Sequence, residues 1–364
     1  MAAAVAKPRY QGLVAARRWE HAPAAPRADF SLAVGDRLGE LTVIGHLARG
    51  RLTELYQVWS NRHWCALTAK VVAAEHMKDG KLPPSLRKEE RVLHRVRHPN
   101  IVQVFGSDDA GGRHYLLMEY LAGPSLFDVL ESLPKRRLHV PDAVRAVMHV
   151  GAAIHYLHRC GWLYRDLKPG NVHLREGIPV LLDFDVVWPL SSQKRRPGDR
   201  LGTAPYMAPE QVLREPLTPA TDVYGLGALL YELLTGKWPT EEFEADEDED
   251  WYDDDDDDDD AYEAAVQTAL APRTTGGSTR DLTTRELTSR YPQLTNPVVP
   301  PRQRNGQVPV ELERLIVRCL DRDPGKRFQT VSGMLAALAP MLKGRHRLWP
   351  ENAPVERRAD TVTR

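Results

Sequence analysis

Cysteine is scarce in this chain of 364 residues: Cys65, Cys160 and Cys319 are widely separated and form no Cys-x-x-Cys pair. Their scatter argues against a disulfide framework and against a thiolate zinc site, and it suits a reducing, cytoplasmic setting. Long apolar runs are also missing. None approaches the roughly 18 residues that a membrane-crossing helix needs, so no membrane span is expected. Residues 1–30 are rich in Ala, Arg and Pro and lack the continuous apolar core of a secretory signal. We read residues 1–35 as a flexible leader. Internal repeats are absent too.

Basic residues are missing from one stretch altogether. Residues 241–260, EEFEADEDEDWYDDDDDDDD, carry 16 acidic side chains and no Lys or Arg. The formal net charge of −1 therefore hides a division. Outside this run, 34 acids face 49 bases, a balance of +15. The run lacks the glycine-turned ligand spacing of a calcium loop. It reads as a solvated segment that screens a basic body from polyanions, and nucleic acid is not an expected partner.

What is present is a chain of two characters. From residue 36 to 122, short β-like segments dominate: LTVIG (41–45), ELYQVW (54–59), CALTAKVV (65–72), IVQVFG (101–106) and HYLLMEY (114–120). One helical pattern interrupts them at 85–97, with Leu86, Val92, Leu93 and Val96 on one side. From 123 to 343 the pattern is helical. Residues 141–160 start with Pro141 and stop at Gly161; 221–234 read as a buried helix ending at Gly236; 310–320 and 331–342 add two more. The fold class expected is α+β, with a β-rich N-lobe and an α-helical C-lobe. The acidic run and the Thr-, Arg-, Gly- and Pro-rich text after it form an expected disordered insertion at about 240–308. Residues 344–364 are a tail.

Chemistry concentrates in LYRDLKPGNVHL (163–174), which sets Arg165, Asp166, Lys168 and Asn171 on one loop between a helix and a short strand. Asp166 can accept a hydroxyl proton, Lys168 can neutralise a phosphate, and Asn171 can bind a metal without adding charge. The spacing Arg-Asp-Leu-x-x-x-Asn resembles the catalytic loop of the protein kinases. The resemblance extends over roughly residues 36–343, the insertion apart, and is similar to the bacterial Ser/Thr members.

The resemblance implies roles in chain order. LARGRLTELYQV (47–58) resembles the Gly-rich loop, with Ala48, Gly50 and Thr53 at the three glycine positions and only Gly50 kept. Leu47, Ala48, Gly50 and Leu55 would border ATP. Lys70 matches the strand lysine that holds the α- and β-phosphates. Glu89 lies nine residues before His98 of HPNIV, where the family's paired glutamate sits, with Glu90 as the competitor if the register slips by one. Met118 resembles the gatekeeper, and Glu119 and Leu121 the hinge that meets adenine. GTAPYMAPE (202–210) supplies Thr203 under the acceptor and Glu210, expected to pair with Arg327. Asp222 is expected to bond the catalytic-loop backbone. Tyr164 stands where His is commoner. Lys168 and the Gly202-Thr203 pair point to Ser/Thr acceptors.

Residues 181–187, LLDFDVV, are by themselves either a metal site or ordinary turn aspartates. Placed twelve residues after Asn171, Asp183 resembles the family's metal aspartate, a ligand for Mg²⁺ or Mn²⁺ with ATP. Phe184 should pack inward. Asp185 replaces a glycine and is expected to sit in left-handed backbone at roughly 1 kcal/mol of strain. Arg165 resembles the residue that binds activation-segment charge, and Asp199 is a candidate to supply it. The resemblance thus implies an ATP-dependent kinase acting on protein Ser/Thr hydroxyls, itself included. A scaffold of the same fold without phosphoryl transfer is the alternative, favoured by Ala48, Thr53 and Asp185.

Overall fold

The computed structural model describes residues 30–50, 52–76, 84–191, 201–240, 287–288 and 290–342. The acidic run and Asp199 lie outside the described residues.

A six-stranded antiparallel sheet forms the N-lobe: β1 (Arg37–Leu38), β2 (Leu41–Arg49), β3 (Thr53–Ser60), β4 (Cys65–Val72), β5 (Val104–Ala110) and β6 (Arg113–Glu119), in the order β1-β2-β3-β4-β6-β5. β3 shows why it is a strand. Glu54, Tyr56, Val58 and Ser60 are buried while the residues between them are half-buried, the period of two that a pleat imposes. Its outer face joins Leu38, Leu41, Val43, Leu67, Ala69, Val71, Tyr115 and Leu117 in a core of its own. Residues 30–35, read as leader from the sequence, enter this layer: Phe30 and Leu32 pack against it.

Helix α1 (Pro84–Leu93) packs beneath the sheet through Leu86, Val92 and Leu93. It is shorter than the 85–97 expected. The chain leaves the helix in tight turns at 94–96, and Arg97 donates to the carbonyls of Leu93 and Val96. Pro99 follows two residues later, and prolines restrict the residues before them to extended backbone. The expected strand 101–106 also begins later, at Val104. Ile101 bridges to Leu181 instead, so this stretch is extended because the C-lobe claims it.

The C-lobe is helical: α2 (Leu126–Ser132), α3 (Val140–Arg159), α4 (Pro209–Val212), α5 (Pro219–Thr235), α6 (Pro301–Arg304), α7 (Val310–Cys319) and α8 (Val331–Leu338). Two small two-stranded antiparallel sheets accompany the helices, the hairpin of β8 (Val172–Arg175) with β9 (Ile178–Leu181) and the pair of β7 (Trp162–Leu163) with β10 (Trp188–Pro189). α5 is buried along its whole length, as its nearly unbroken apolar text requires. Thr218 caps its start, and Gly236 ends it in left-handed backbone (φ 70°). One core runs from Leu86 and Met118 in the N-lobe through α3 and α5 to α8. Residues 291–308, read with the insertion, are part of this lobe. Tyr291 packs on Ala204, Met207 and Val212, and Asn305 donates to Leu234 O at 2.8 Å. Among the described residues no helix is long and apolar enough to cross a membrane.

Candidate active site

The cleft between the lobes gathers the residues singled out above. Lys70 leaves β4, and its Nζ meets Glu89 Oε2 at 2.6 Å and Asp183 Oδ1 at 3.3 Å. Glu89, on α1, also accepts the Phe184 N–H at 3.2 Å. One side chain thus ties α1, β4 and the 183–185 segment together. The register question is settled by helix geometry, since one residue turns about 100°. Glu90 points elsewhere and is held by Ser107 and by His114 at 3.0 Å. Burial pulls Lys70 down, but the carboxylates of Asp183, Glu89 and Asp185 outweigh it, and the ammonium is held above its usual range.

The catalytic-loop residues close the other side. Asp166 Oδ1 accepts from Thr203 N (2.9 Å) and Thr203 Oγ1 (2.8 Å); Oδ2 accepts from Asn171 Nδ2 at 2.8 Å and meets Lys168 Nζ at 3.0 Å. Lys168 also donates to Thr203 Oγ1 at 2.8 Å. Asn171 spends its amide nitrogen on Asp166, leaving the amide oxygen as the atom that can meet a cation. The loop is held from below by buried Asp222, which accepts the N–H groups of Tyr164 and Arg165, each at 2.8 Å. His158 at the end of α3 donates its Nε2–H to the same carboxylate at 2.7 Å, a partner that the sequence reading missed. Tyr164 uses its hydroxyl on Leu182 O, and its ring lies edge-on to buried Phe184, 5.4 Å between centroids.

The two aspartates of LLDFDVV part company. Asp183 is the one in left-handed backbone (φ 58°); Asp185 is not, so the strain expected at Asp185 is absent. Burial would raise Asp183, yet Lys70 and Lys168 more than offset it and keep its carboxyl below the usual range. Burial, reinforced by the charge of Asp183, pushes Asp185 well above it. Asp185 Oδ1 is buried without a hydrogen-bond partner. Two residues apart, one carboxyl is held below its usual range and the other above it. Among the described residues no group of three or more His, Cys, Asp or Glu side chains is arranged to hold a metal. A cation here would rest on Asp183 and Asn171 and on phosphate oxygens brought with it.

The residues read as a phosphate loop lie at the facing ends of β2 and β3. Ala48 pairs with Leu55 just past a register shift in β2, and Thr53 pairs with Val72, neither at positive φ. Both therefore accept side chains where relatives of the motif have glycine. Leu47 is partly exposed. Leu55 shares the face of Lys70, its direct partner across the ladder. At the hinge, Met118 is buried, and the Glu119 N–H is taken by Gln103 O at 2.8 Å. Glu119 is thus left with its carbonyl, and Leu121 lies just beyond the ladder. The Glu119 carboxylate pairs with Arg175 of β8 and braces the hinge on the C-lobe.

The acceptor side is fastened from several directions. Gly202 has φ 132°, and a Cβ there would press Arg165 O and Met207 Cγ, each at 3.3 Å, so glycine is required. Gln293 donates to Ala204 O (2.8 Å) and Met207 O (3.2 Å), and Gln211 donates to Arg165 O at 3.1 Å. Tyr206 donates to Glu232, whose carboxyl burial pushes up to about 7. A group raised above its unfolded range stabilises the fold fully below about pH 4.5, and that contribution is lost as pH rises towards 7. Thermal melts from pH 5 to 8 should show a decline, worth at most about 3 kcal/mol, that Glu232→Gln flattens. Equal slopes for both proteins would refute this.

The match to a family of known proteins covers most of the described structure. The model for the protein kinase domain matches residues 41–337. The chain is 26% identical over 318 residues to the serine/threonine-protein kinase PknB of Mycobacterium leprae, covering 85% of this chain and 43% of that protein. It is 31% identical over 222 residues to PknA of Mycobacterium tuberculosis, covering 59% of this chain and 50% of PknA. A probable serine/threonine-protein kinase of Clostridium acetobutylicum is 24% identical over 281 residues, 77% of this chain and 36% of that protein. This chain spans half or less of the length of these relatives.

Proposed function

We propose, because this chain belongs to the protein kinase family, that it transfers the γ-phosphoryl group of ATP to serine and threonine hydroxyls of proteins, its own included. The observation that carries the reading is the ion chain Lys70–Glu89–Asp183. Catalysis in this family needs the strand lysine, the helix glutamate and the metal aspartate in place together, and one connected set of contacts supplies all three.

In this reading the backbone of Leu47–Gly50 and Leu55 covers ATP, Lys70 holds its phosphates, and Glu119 and Leu121 meet the base. The donor set fits Mg²⁺ or Mn²⁺: one anionic carboxylate, Asp183, and one amide oxygen, Asn171, suit a hard cation that keeps phosphate oxygens as its remaining ligands. Such an ion, held by these two residues, would neutralise phosphate charge. Asp166 orients the acceptor hydroxyl and takes its proton. Thr203 marks where that hydroxyl goes, since its own Oγ1 already bonds both Asp166 and Lys168. Lys168 then steadies the transferring group. A scaffold without transfer has no need of this arrangement. A reducing, cytoplasmic setting is part of the proposal, and Cys65, Cys160 and Cys319 are free thiols.

The test is incorporation of labelled phosphate from ATP into the chain and into a generic basic acceptor. Asp166→Asn should lower transfer by roughly 10²–10⁴-fold, the range for losing a positioned base, while nucleotide binding persists. Equal transfer by both proteins would remove Asp166 from the role, and a silent wild type that binds no ATP would overturn the function.

A further inference from the structure

Glu54 is fully buried in the first half of β3, an interior strand of the sheet, and belongs to no part of the cleft machinery. A carboxylate is rarely buried without partners, and this one gathers four groups. Tyr56 and Ser31 donate their hydroxyls to it. The Ser31 N–H reaches both of its oxygens, at 3.2 and 3.3 Å, and Arg49 Nη1 stands 3.4 Å from Oε1.

The position of this cluster is what matters. Arg49 and Glu54 face each other as the last pair of the β2–β3 ladder, so they close the hairpin at the base of the phosphate-loop turn. Leu55, the next residue, lies on the opposite, nucleotide-facing side of the strand. Two of the four groups on Glu54 come from outside the sheet, from a short segment at Phe30–Leu32. That segment is fixed at three further points. Phe30 stacks on His46, 4.4 Å between centroids and 12° between planes. The His46 ring nitrogen Nε2 bonds Leu32 O at 2.7 Å, and the Leu32 N–H donates to Tyr56 Oη at 3.0 Å.

We infer that Phe30–Leu32 is a strap that holds the phosphate loop from behind, and that Glu54 is a positioning residue for the phosphates of ATP, acting through the ladder it closes. The inference rests on the ATP-binding reading above. A loop with alanine and threonine in place of two glycines binds phosphate through backbone N–H groups, and those groups are useful only where the turn is held still. Without the strap, Glu54 and Tyr56 lose Ser31 and Leu32, and the hairpin opens from its mouth.

The experiment uses the full chain and three proteins: wild type, Glu54→Ala, and Phe30→Ala, which leaves Glu54 intact and removes only a partly buried ring at the rim of the N-lobe core. Both variants should raise KM for ATP about five- to tenfold, the effect of losing one charge-assisted contact. The value of kcat at saturating ATP and KM for the acceptor should stay within about twofold. Amide hydrogen exchange should quicken at Leu47–Gly50 and Leu52–Leu55 in both. A Phe30→Ala protein with wild-type exchange in this turn overturns the strap, whatever the nucleotide does. Parallel losses of kcat, acceptor affinity and melting temperature would make Glu54 a general core residue and overturn the positioning role. If the wild type binds no ATP, the functional reading fails, and the exchange difference still decides the strap.

Discussion

Asp183→Asn should abolish measurable phosphoryl transfer, and Asp185→Gly should leave it within a few-fold of wild type or raise it. The two carboxyls are separated by one residue, yet their surroundings give them opposite characters. Asp183 is kept anionic by Lys70 and Lys168 and is 31% exposed towards the cleft. Asparagine keeps its shape and removes the charge that a divalent ion needs, so a loss of roughly 10²–10³-fold is expected from this electrostatic contribution alone. Burial and the charge of Asp183 hold Asp185 well above its usual range, which weakens its tendency to add a second charge beside ATP. It also carries a buried oxygen without a partner, which costs about 1–3 kcal/mol. Glycine relieves that cost and adds about 0.5–1 kcal/mol of backbone freedom, so stability should hold or rise slightly. Labelled-phosphate incorporation by the three proteins, with melting curves beside it, decides the matter. A silent wild type revived by Asp185→Gly would mean that the second aspartate disables the site.

The largest effect on stability is expected at Arg327, far from any reacting atom. Its guanidinium is fully buried and forks onto Glu210, Nη1 to Oε1 at 2.7 Å and Nη2 to Oε2 at 2.8 Å. Its remaining hydrogens go to the carbonyls of Asp321, Ala220 and Arg322, and it lies over the Tyr224 ring. Thr221 Oγ1 completes Glu210 at 2.9 Å. Every donor is satisfied, so removing the arginine strands a buried carboxylate and three carbonyls. Arg327→Ala should cost about 3–5 kcal/mol, a drop in melting temperature of roughly 10 °C for a domain of this size. Adding Glu210→Ala to Arg327→Ala should cost little more, because the partner's charge is then gone. Additive losses in the double variant would show that the pair is not the source of the effect.

How much of this was legible depended on whether a residue's meaning was local. The loop Asp166-Leu167-Lys168-Pro169-Gly170-Asn171 carries its spacing in six consecutive positions, and its side chains converge because a short loop leaves them little choice. Lys70 and Glu89 were legible only in pairs, at the distances from HPNIV and from the strand; the helix then decided Glu89 over Glu90, since adjacent residues on a helix face different ways. The pairing of Glu210 with Arg327 spans 117 positions and was readable through the resemblance alone. Residues such as His158, Gln293 and Glu54 gave no signal. Each is an ordinary polar residue on a helix end, in a turn or in a strand, and acquires a role only through a partner elsewhere in the chain.

The order of elements, the two lobes and the composition of the catalytic loop follow from residue type, periodicity and turn chemistry, which act over a few residues and so can be read along the chain. Charge state and backbone strain do not. Two aspartates in Asp183-Phe184-Asp185 are chemically identical in the text, and the expectation placed the left-handed backbone on the second. The fold placed it on the first and buried the second beyond its partners. Only the meeting of β4, α1 and the 183–185 segment sets which carboxyl faces Lys70, because Coulomb attraction and desolvation depend on distance and burial in three dimensions. The same holds for Phe30–Leu32. Nothing in its composition separates it from a leader, and packing against the outer face of the sheet is what makes it part of the lobe.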